Sequence, residues 1–182
     1  MDCLACSSKL CKKEAKDCNN SRDVVLLKYK EEVNNDIYNK SDKLVAGGRA
    51  GNLSRLEEIA EFSVSRSYKN IAIAYCYCME NLAGDVKEFL TGYGLTTSSY
   101  RCTINGIKEN QISNELADSV NCNPIGQAEA INNSDADFVI EMGLCLGHDV
   151  LFHQHLKKPF TVFIVKDRVH NHNPAKALSS YK

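Results

Sequence analysis

Long apolar runs, strong net charge and internal repetition are all missing from this chain, and each absence excludes something. No stretch of about 18 consecutive apolar residues occurs, so no segment is expected to span a bilayer. The formal net charge is −1, which removes any bulk electrostatic case for nucleic acid or an anionic membrane surface. Lysines and arginines are scattered, as at Lys12-Lys13 and Lys157-Lys158, in the manner of solvated surface. The start, Met-Asp-Cys, has neither the basic n-region nor the apolar h-region of a secretory signal, so a cytoplasmic location is expected. With nucleic acid and membrane set aside, a small-molecule substrate is a candidate partner, and the oligomeric state is left open.

Cysteine, by contrast, is plentiful. The 182 residues are otherwise ordinary, with 43% hydrophobic and 25% charged, but nine are cysteine. An odd number of thiols without an export signal points to reduced cysteines or metal thiolates rather than a disulfide framework. Four of them, Cys3, Cys6, Cys11 and Cys18, are spaced C-x2-C-x4-C-x6-C. The other five, Cys76, Cys78, Cys102, Cys122 and Cys145, follow a long gap.

Residues 1–20 show no helical or strand period and carry too little apolar surface to order themselves; a bound metal would supply the missing folding energy. Residues 21–69 read as a helical lead-in. Leu26, Tyr29, Val33 and Ile37 recur three and four apart, which predicts a helix from Asp23 to Tyr38. Ser54 and Glu57 form a capping box that opens another. Over 70–182 strands and helices alternate. Strands are expected near 71–75, 95–102, 137–144 and 160–166, and helices near 79–91, 124–132, 148–156 and from Asn173-Pro174. Asn123 caps, and Pro124 occupies the first position of, the second of these helices. The alternation predicts an α/β domain of the doubly wound kind, with a mostly parallel sheet covered by helices on both faces.

In such sheets ligands bind at the carboxyl ends of the strands. Cys76, Cys102 and Cys145 end three predicted strands, and Cys122 immediately precedes a helix on the same edge. Cys122 and Cys145 each stand before a helix N-terminus, whose partial positive charge favours thiolate. A cysteine in an apolar strand is often only a small hydrophobe; four at the same edge are better explained as a site. Cys78 has no such placement. The segment Gly143-Leu144-Cys145-Leu146-Gly147-His148-Asp149 lets the backbone approach a ligand closely, and makes Cys145, His148 and Asp149 the candidate catalytic groups. Asp149 is also well placed simply to offset the helix dipole. His153 and His155 lie two apart, on different helix faces, and make a poor metal pair. Lys166-Asp167-Arg168 offers either an anion site or a supporting ion pair.

The metal-ligand candidates are therefore Cys3, Cys6, Cys11 and Cys18 in one site and Cys76, Cys102, Cys122 and Cys145 in another. Four thiolates suit zinc or an iron–sulfur cluster. The N-terminal spacing matches neither common ferredoxin run, which favours zinc there. Two uses are open for the second site: a cluster-dependent enzyme acting on a small sulfur-bearing or anionic substrate, or a metal or redox sensor or metal carrier without turnover.

Cys122-Asn123-Pro124 with Gln127-Ala128-Glu129, the Gly143–Asp149 segment, Val165-Lys166-Asp167-Arg168-Val169 and His172-Asn173-Pro174 occur in that order. With the N-terminal cysteines they resemble, over nearly the whole chain, the family of metal-binding proteins designated domain of unknown function 1847. The resemblance implies a prokaryotic cytoplasmic protein with metal-binding cysteines and no established reaction. Two features depart from the family pattern. Tyr77-Cys78-Met79-Glu80 stands where a glycine usually follows the first-strand cysteine, and Arg101-Cys102 stands where the second strand typically ends in two cysteines.

Overall fold

Ile71, Ala72, Ile73 and Ala74 leave neither face of their strand polar, and a strand with two apolar faces must lie inside a sheet. In the structure, a computed structural model that describes residues 2–181, they do. Strand β1 (Asn70–Tyr75) pairs in parallel with β2 (Thr96–Arg101) on one side and β3 (Phe138–Met142) on the other, and β3 pairs with β4 (Phe160–Ile164). The order is β2-β1-β3-β4, so the winding reverses between β1 and β3. That is where a doubly wound sheet opens a crevice at its carboxyl edge. The Thr/Ser-rich β2 is an edge strand, as its composition suggests.

The helices, in chain order, are α1 (Leu10–Lys13), α2 (Arg22–Lys30), α3 (Glu32–Val45), α4 (Arg55–Ser65), α5 (Glu80–Gly92), α6 (Glu109–Ile112), α7 (Pro124–Asn132) and α8 (His148–His155); a 3-10 segment, Pro174–Tyr181, ends the described chain. Both sheet faces are covered. Side chains alternate along a strand: on β3 the Phe138 ring packs 5.8 Å from that of Phe62 of α4, while Glu141, on the opposite face, hydrogen-bonds His153 of α8. Ile71, Ile73, Leu90, Ile131, Val139, Ile140, Met142 and Phe152 are fully buried between the layers.

Local chemistry explains where the helices begin. The Ser54 hydroxyl accepts from Glu57 N while Ser54 N donates to the Glu57 carboxylate, the expected capping box. Asn123 Oδ1 accepts from Gly126 N at 2.9 Å, with Pro124 at the first helical position. The expected single helix from Asp23 to Tyr38 is instead two helices, α2 and α3, broken at Glu31 (φ −59°, ψ 133°). Asn34 causes the break: its amide donates to Lys28 O and to the Glu31 carboxylate, a side chain competing with the helical ladder. Among the described residues no helix is long and apolar enough to cross a membrane.

Candidate functional site

The carboxyl edge is built by extending the ladder one residue past the strands. Cys76 N donates to Met142 O (3.1 Å), Cys102 N to Tyr75 O (2.9 Å) and Gly143 N to Ile164 O (2.7 Å). Cys76 and Cys102 are thereby buried at adjacent strand ends. Gly143 has φ 62°, and a Cβ there would lie 2.9 Å from Met79 Cε, so the turn toward Cys145 requires glycine. Between Cys102 and α7 the chain makes an excursion through α6 that folds back on itself. Asn121 N donates to Ile107 O (2.8 Å) and Asn123 N to Cys102 O (2.6 Å). This closure brings Cys122 back beside Cys102.

The sulfurs form a connected chain. Cys78 Sγ lies 3.5 Å from Cys76 Sγ, and Cys122 Sγ lies 3.5 Å from Cys102 Sγ. Cys102 ends the strand beside Cys76, its N–H bonded to Tyr75 O, and acts on the Cys76 thiol. Lys166 Nζ donates to Cys76 Sγ (2.7 Å) and Cys78 Sγ (3.0 Å), Tyr77 N to Cys102 Sγ (3.3 Å), and Arg168 Nη2 to Cys145 Sγ (3.4 Å). Cys76 is where these donors converge. Hydrogen bonds from Cys102, then Lys166, then Cys78, hold its thiol well below the ordinary range although burial acts the other way. Cys102, as donor to that sulfur, is pushed up. Burial opposes the charge of Lys166, but its bonds to Cys76 and Cys78 raise it above the usual ammonium range. The sequence pointed to Cys122 as a dipole-stabilised thiolate; burial instead pushes Cys122 up.

Other candidate residues take defined places. Asp149 Oδ1 accepts from Gly147 N (3.0 Å) and Val150 N (2.7 Å), so its carboxylate braces the start of α8. His148 N donates to Cys145 O (2.8 Å), closing the same turn. His153 bonds the buried Glu141, whose carboxyl is pushed up by that burial. Asp167 folds the last turn by accepting from Val169 N and His170 N, which points Lys166 and Arg168 back at the thiols. Lys166 and Arg168 are thus engaged with sulfurs of the edge.

Two residues escaped the sequence reading. Cys78 joins the sulfur chain through Cys76 and Lys166. Its C-x-C spacing to Cys76 was the available signal, since two thiols flanking one residue at a strand end can turn to the same side. Gln127 is fully buried on α7, and its amide donates to Tyr75 O (3.3 Å) and Tyr100 O (2.7 Å). It thus ties together the backbone just ahead of Cys76 and Cys102. An uncharged polar residue within the largely apolar run Pro124–Ala128 is the mark it left in the sequence.

The N-terminal thiols are held very differently. Cys3, Cys11 and Cys18 are exposed and Cys6 is half-buried. Contacts there are local: Cys6 Sγ with Ser8 Oγ (3.5 Å), Cys18 Sγ to Lys16 O (3.6 Å) and Lys9 Nζ to Cys3 O (2.8 Å). Ser8 lowers the Cys6 thiol, while desolvation and then the nearby Cys11 and Cys6 raise that of Cys18. All nine cysteines are free thiols.

In kind and number the edge sulfurs fit a thiophilic ion. Four thiolates on zinc at about 2.3 Å stand roughly 3.8 Å from one another, close to the 3.5 Å of the two sulfur pairs. Their arrangement is a chain rather than a shell. Among the described residues no three His, Cys, Asp or Glu side chains are disposed to hold a metal ion.

Fold and site together define a parallel α/β protein with a thiol-lined carboxyl edge. The chain belongs to the family described as protein of unknown function (DUF1847), whose model matches residues 11–163. The match takes in Cys11, Cys18 and all five edge cysteines, and leaves Cys3, Cys6, Lys166 and Arg168 outside. The chain is also 39% identical over 185 residues to an uncharacterized protein of Methanocaldococcus jannaschii, covering 98% of this chain and 93% of that protein. No solved structure matches.

Proposed function

We propose that this is a metal-binding protein whose principal site is the thiol-lined edge of the sheet. The observation that carries the reading is the connected run of Cys78, Cys76, Cys102 and Cys122 sulfurs at the end of β1, beside the crevice where the winding reverses. Cys76, Cys102 and Cys122 would hold the ion, with Cys145 or Cys78 completing the set. Lys166, Arg168 and Tyr77 N would direct N–H donors at the sulfurs, offsetting their charge. The ion is zinc or the iron of an iron–sulfur cluster, both of which accept thiolate sets. Cys3, Cys6, Cys11 and Cys18 would form a separate zinc site that orders residues which have no core of their own.

Binding and release suit the edge better than turnover does. Cys78 is exposed and Cys122 and Cys145 are half-buried. Three cavities of about 400, 480 and 500 Å³ are lined by α2, α3, α4 and the starts of β3 and β4, and no cysteine lines any of the three. The carboxylate of Asp149, a candidate proton carrier, is engaged with backbone N–H groups. A carrier or sensor role follows; a metal with an open position would add Lewis acidity, the basis of the enzymatic alternative.

Anaerobic purification with metal analysis and a visible spectrum tests the assignment. The expected result is bound zinc or iron, part of which is lost in Cys122→Ser while the protein stays folded. Metal content unchanged in both Cys102→Ser and Cys122→Ser variants would overturn it.

A further inference from the structure

Helix α2 buries none of its residues, although Val24, Leu26 and Leu27 are 61%, 48% and 65% exposed. The side of α2 that meets α3 is marked by Tyr29, whose ring lies 5.6 Å from that of Tyr38. At 100° per residue, Leu27 points almost directly away from Tyr29. Asp23, Leu26, Leu27 and Lys30 fall at i, i+3, i+4 and i+7 and form one stripe along the flank of α2, Leu27 facing away from α3 and Leu26 and Lys30 bordering the groove that α2 makes with Asn35, Tyr38 and Asn39. Two leucines thus sit between an acid at one end and a base at the other. Neither Asp23 nor Lys30 has an ion-pair partner among the described residues.

This stripe is complementary to itself. A two-fold axis passing between Leu26 and Leu27 lays a second α2 antiparallel on the first. It sets Leu26 against the partner's Leu27, and Asp23 against the partner's Lys30, at both ends at once. An isologous interface needs that symmetry of pattern, and a parallel arrangement would instead set Asp23 against Asp23. The run 22–45 carries five basic and five acidic residues, so two copies of the α2–α3 hairpin meet without net repulsion. We propose that α2 is the interface of a homodimer, with the leucine pair as its apolar centre and two Asp23–Lys30 pairs fixing the antiparallel register. The sheet edge and its thiols play no part in this contact.

Sedimentation velocity across a hundredfold range of protein concentration reads the outcome, with circular dichroism confirming that each variant is folded. The wild-type chain is expected to dimerise. Leu27→Asp should be monomeric at every concentration, since α2 supports no core whose loss would unfold the protein. Asp23→Lys and Lys30→Asp alone should each weaken association at least about tenfold, and the double variant should regain it, because the two charges meet only across the axis. A wild-type protein monomeric throughout, a dimer that survives Leu27→Asp, or a double charge swap that fails to restore association would each overturn the proposal.

Discussion

The two cysteine-rich regions reach similar numbers of thiols by opposite routes. The N-terminal four are gathered by sequence spacing, lie mostly in solvent and interact only with residues of their own short segment. The five at the sheet edge come from separate segments and are brought together by strand register, a folded-back excursion and a helix start. At the edge the apolar core does the positioning, so the thiols stay together without metal. At the N-terminus little besides a metal can do so. If both regions hold ions as proposed, the edge would keep its shape when its ion leaves, whereas the N-terminal segment would loosen.

Damage to the core should separate the two regions most strongly. Ile73 is fully buried in the central strand, and Ile73→Ala is expected to destabilise the fold by about 2–5 kcal/mol. In metal-free protein, urea unfolding should show the loss. Reaction with a chromogenic disulfide reagent should show the edge thiols exposed more readily, with the N-terminal thiols unchanged. Equal acceleration in both regions would erase the distinction.

Gln127→Leu is the next step down. It removes the donors to Tyr75 O and Tyr100 O in a buried place, worth about 1–3 kcal/mol. Edge thiols should again react faster while the N-terminal ones do not. Unaltered edge reactivity would mean that Gln127 holds the helix but not the cysteines.

Asp137 allows the sheet to be loosened from its other end. Its carboxylate accepts from Lys69 N (2.7 Å) and Asn70 N (2.9 Å) at the start of β1, and the bond to Asn70, then that to Lys69, holds it below the ordinary carboxylate range. A group depressed on folding stabilises above its unfolded pKa and ceases to as pH falls through the folded value. Asp137→Ala should therefore cost on the order of 1 kcal/mol near neutral pH. The gap in urea midpoint between wild type and variant should close in acid. A gap that persists unchanged in strong acid would show that the effect is not electrostatic.

Cys3→Ser should have the smallest consequence. It lies on an exposed segment, and in metal-free protein the global unfolding free energy should shift by less than about 0.5 kcal/mol. A larger shift would show that the N-terminal segment is part of the core after all.

Much of the fold could be read from the residues. The apolar run Ile71–Ala74, the Ser54–Glu57 box and the Asn123-Pro124 start each carry a local cause, and each element lies where that cause puts it. The break at Glu31 was not readable, because it depends on an asparagine side chain choosing backbone partners over solvent. At the site, topology brought Cys76 and Cys102 to neighbouring strand ends, a placement that followed once the strands were known. Charge was harder to foresee. The low-lying thiol is Cys76, whose deciding donors, Cys102 and Lys166, come from distant parts of the sequence, while burial pushes Cys122 up. Gln127 acts through contacts that no spacing rule describes, whereas Cys78 had left a signal in its C-x-C spacing to Cys76.

The claim that the edge holds metal independently of the N-terminus can be tested by cobalt(II) titration of an anaerobic protein in which Cys3, Cys6, Cys11 and Cys18 are all serine. The thiolate-to-cobalt charge-transfer band should persist in that protein and vanish when Cys102→Ser and Cys122→Ser are added. A band present in the wild type but absent once the four N-terminal cysteines are gone would contradict the account, leaving the edge as a cluster of thiols without a metal.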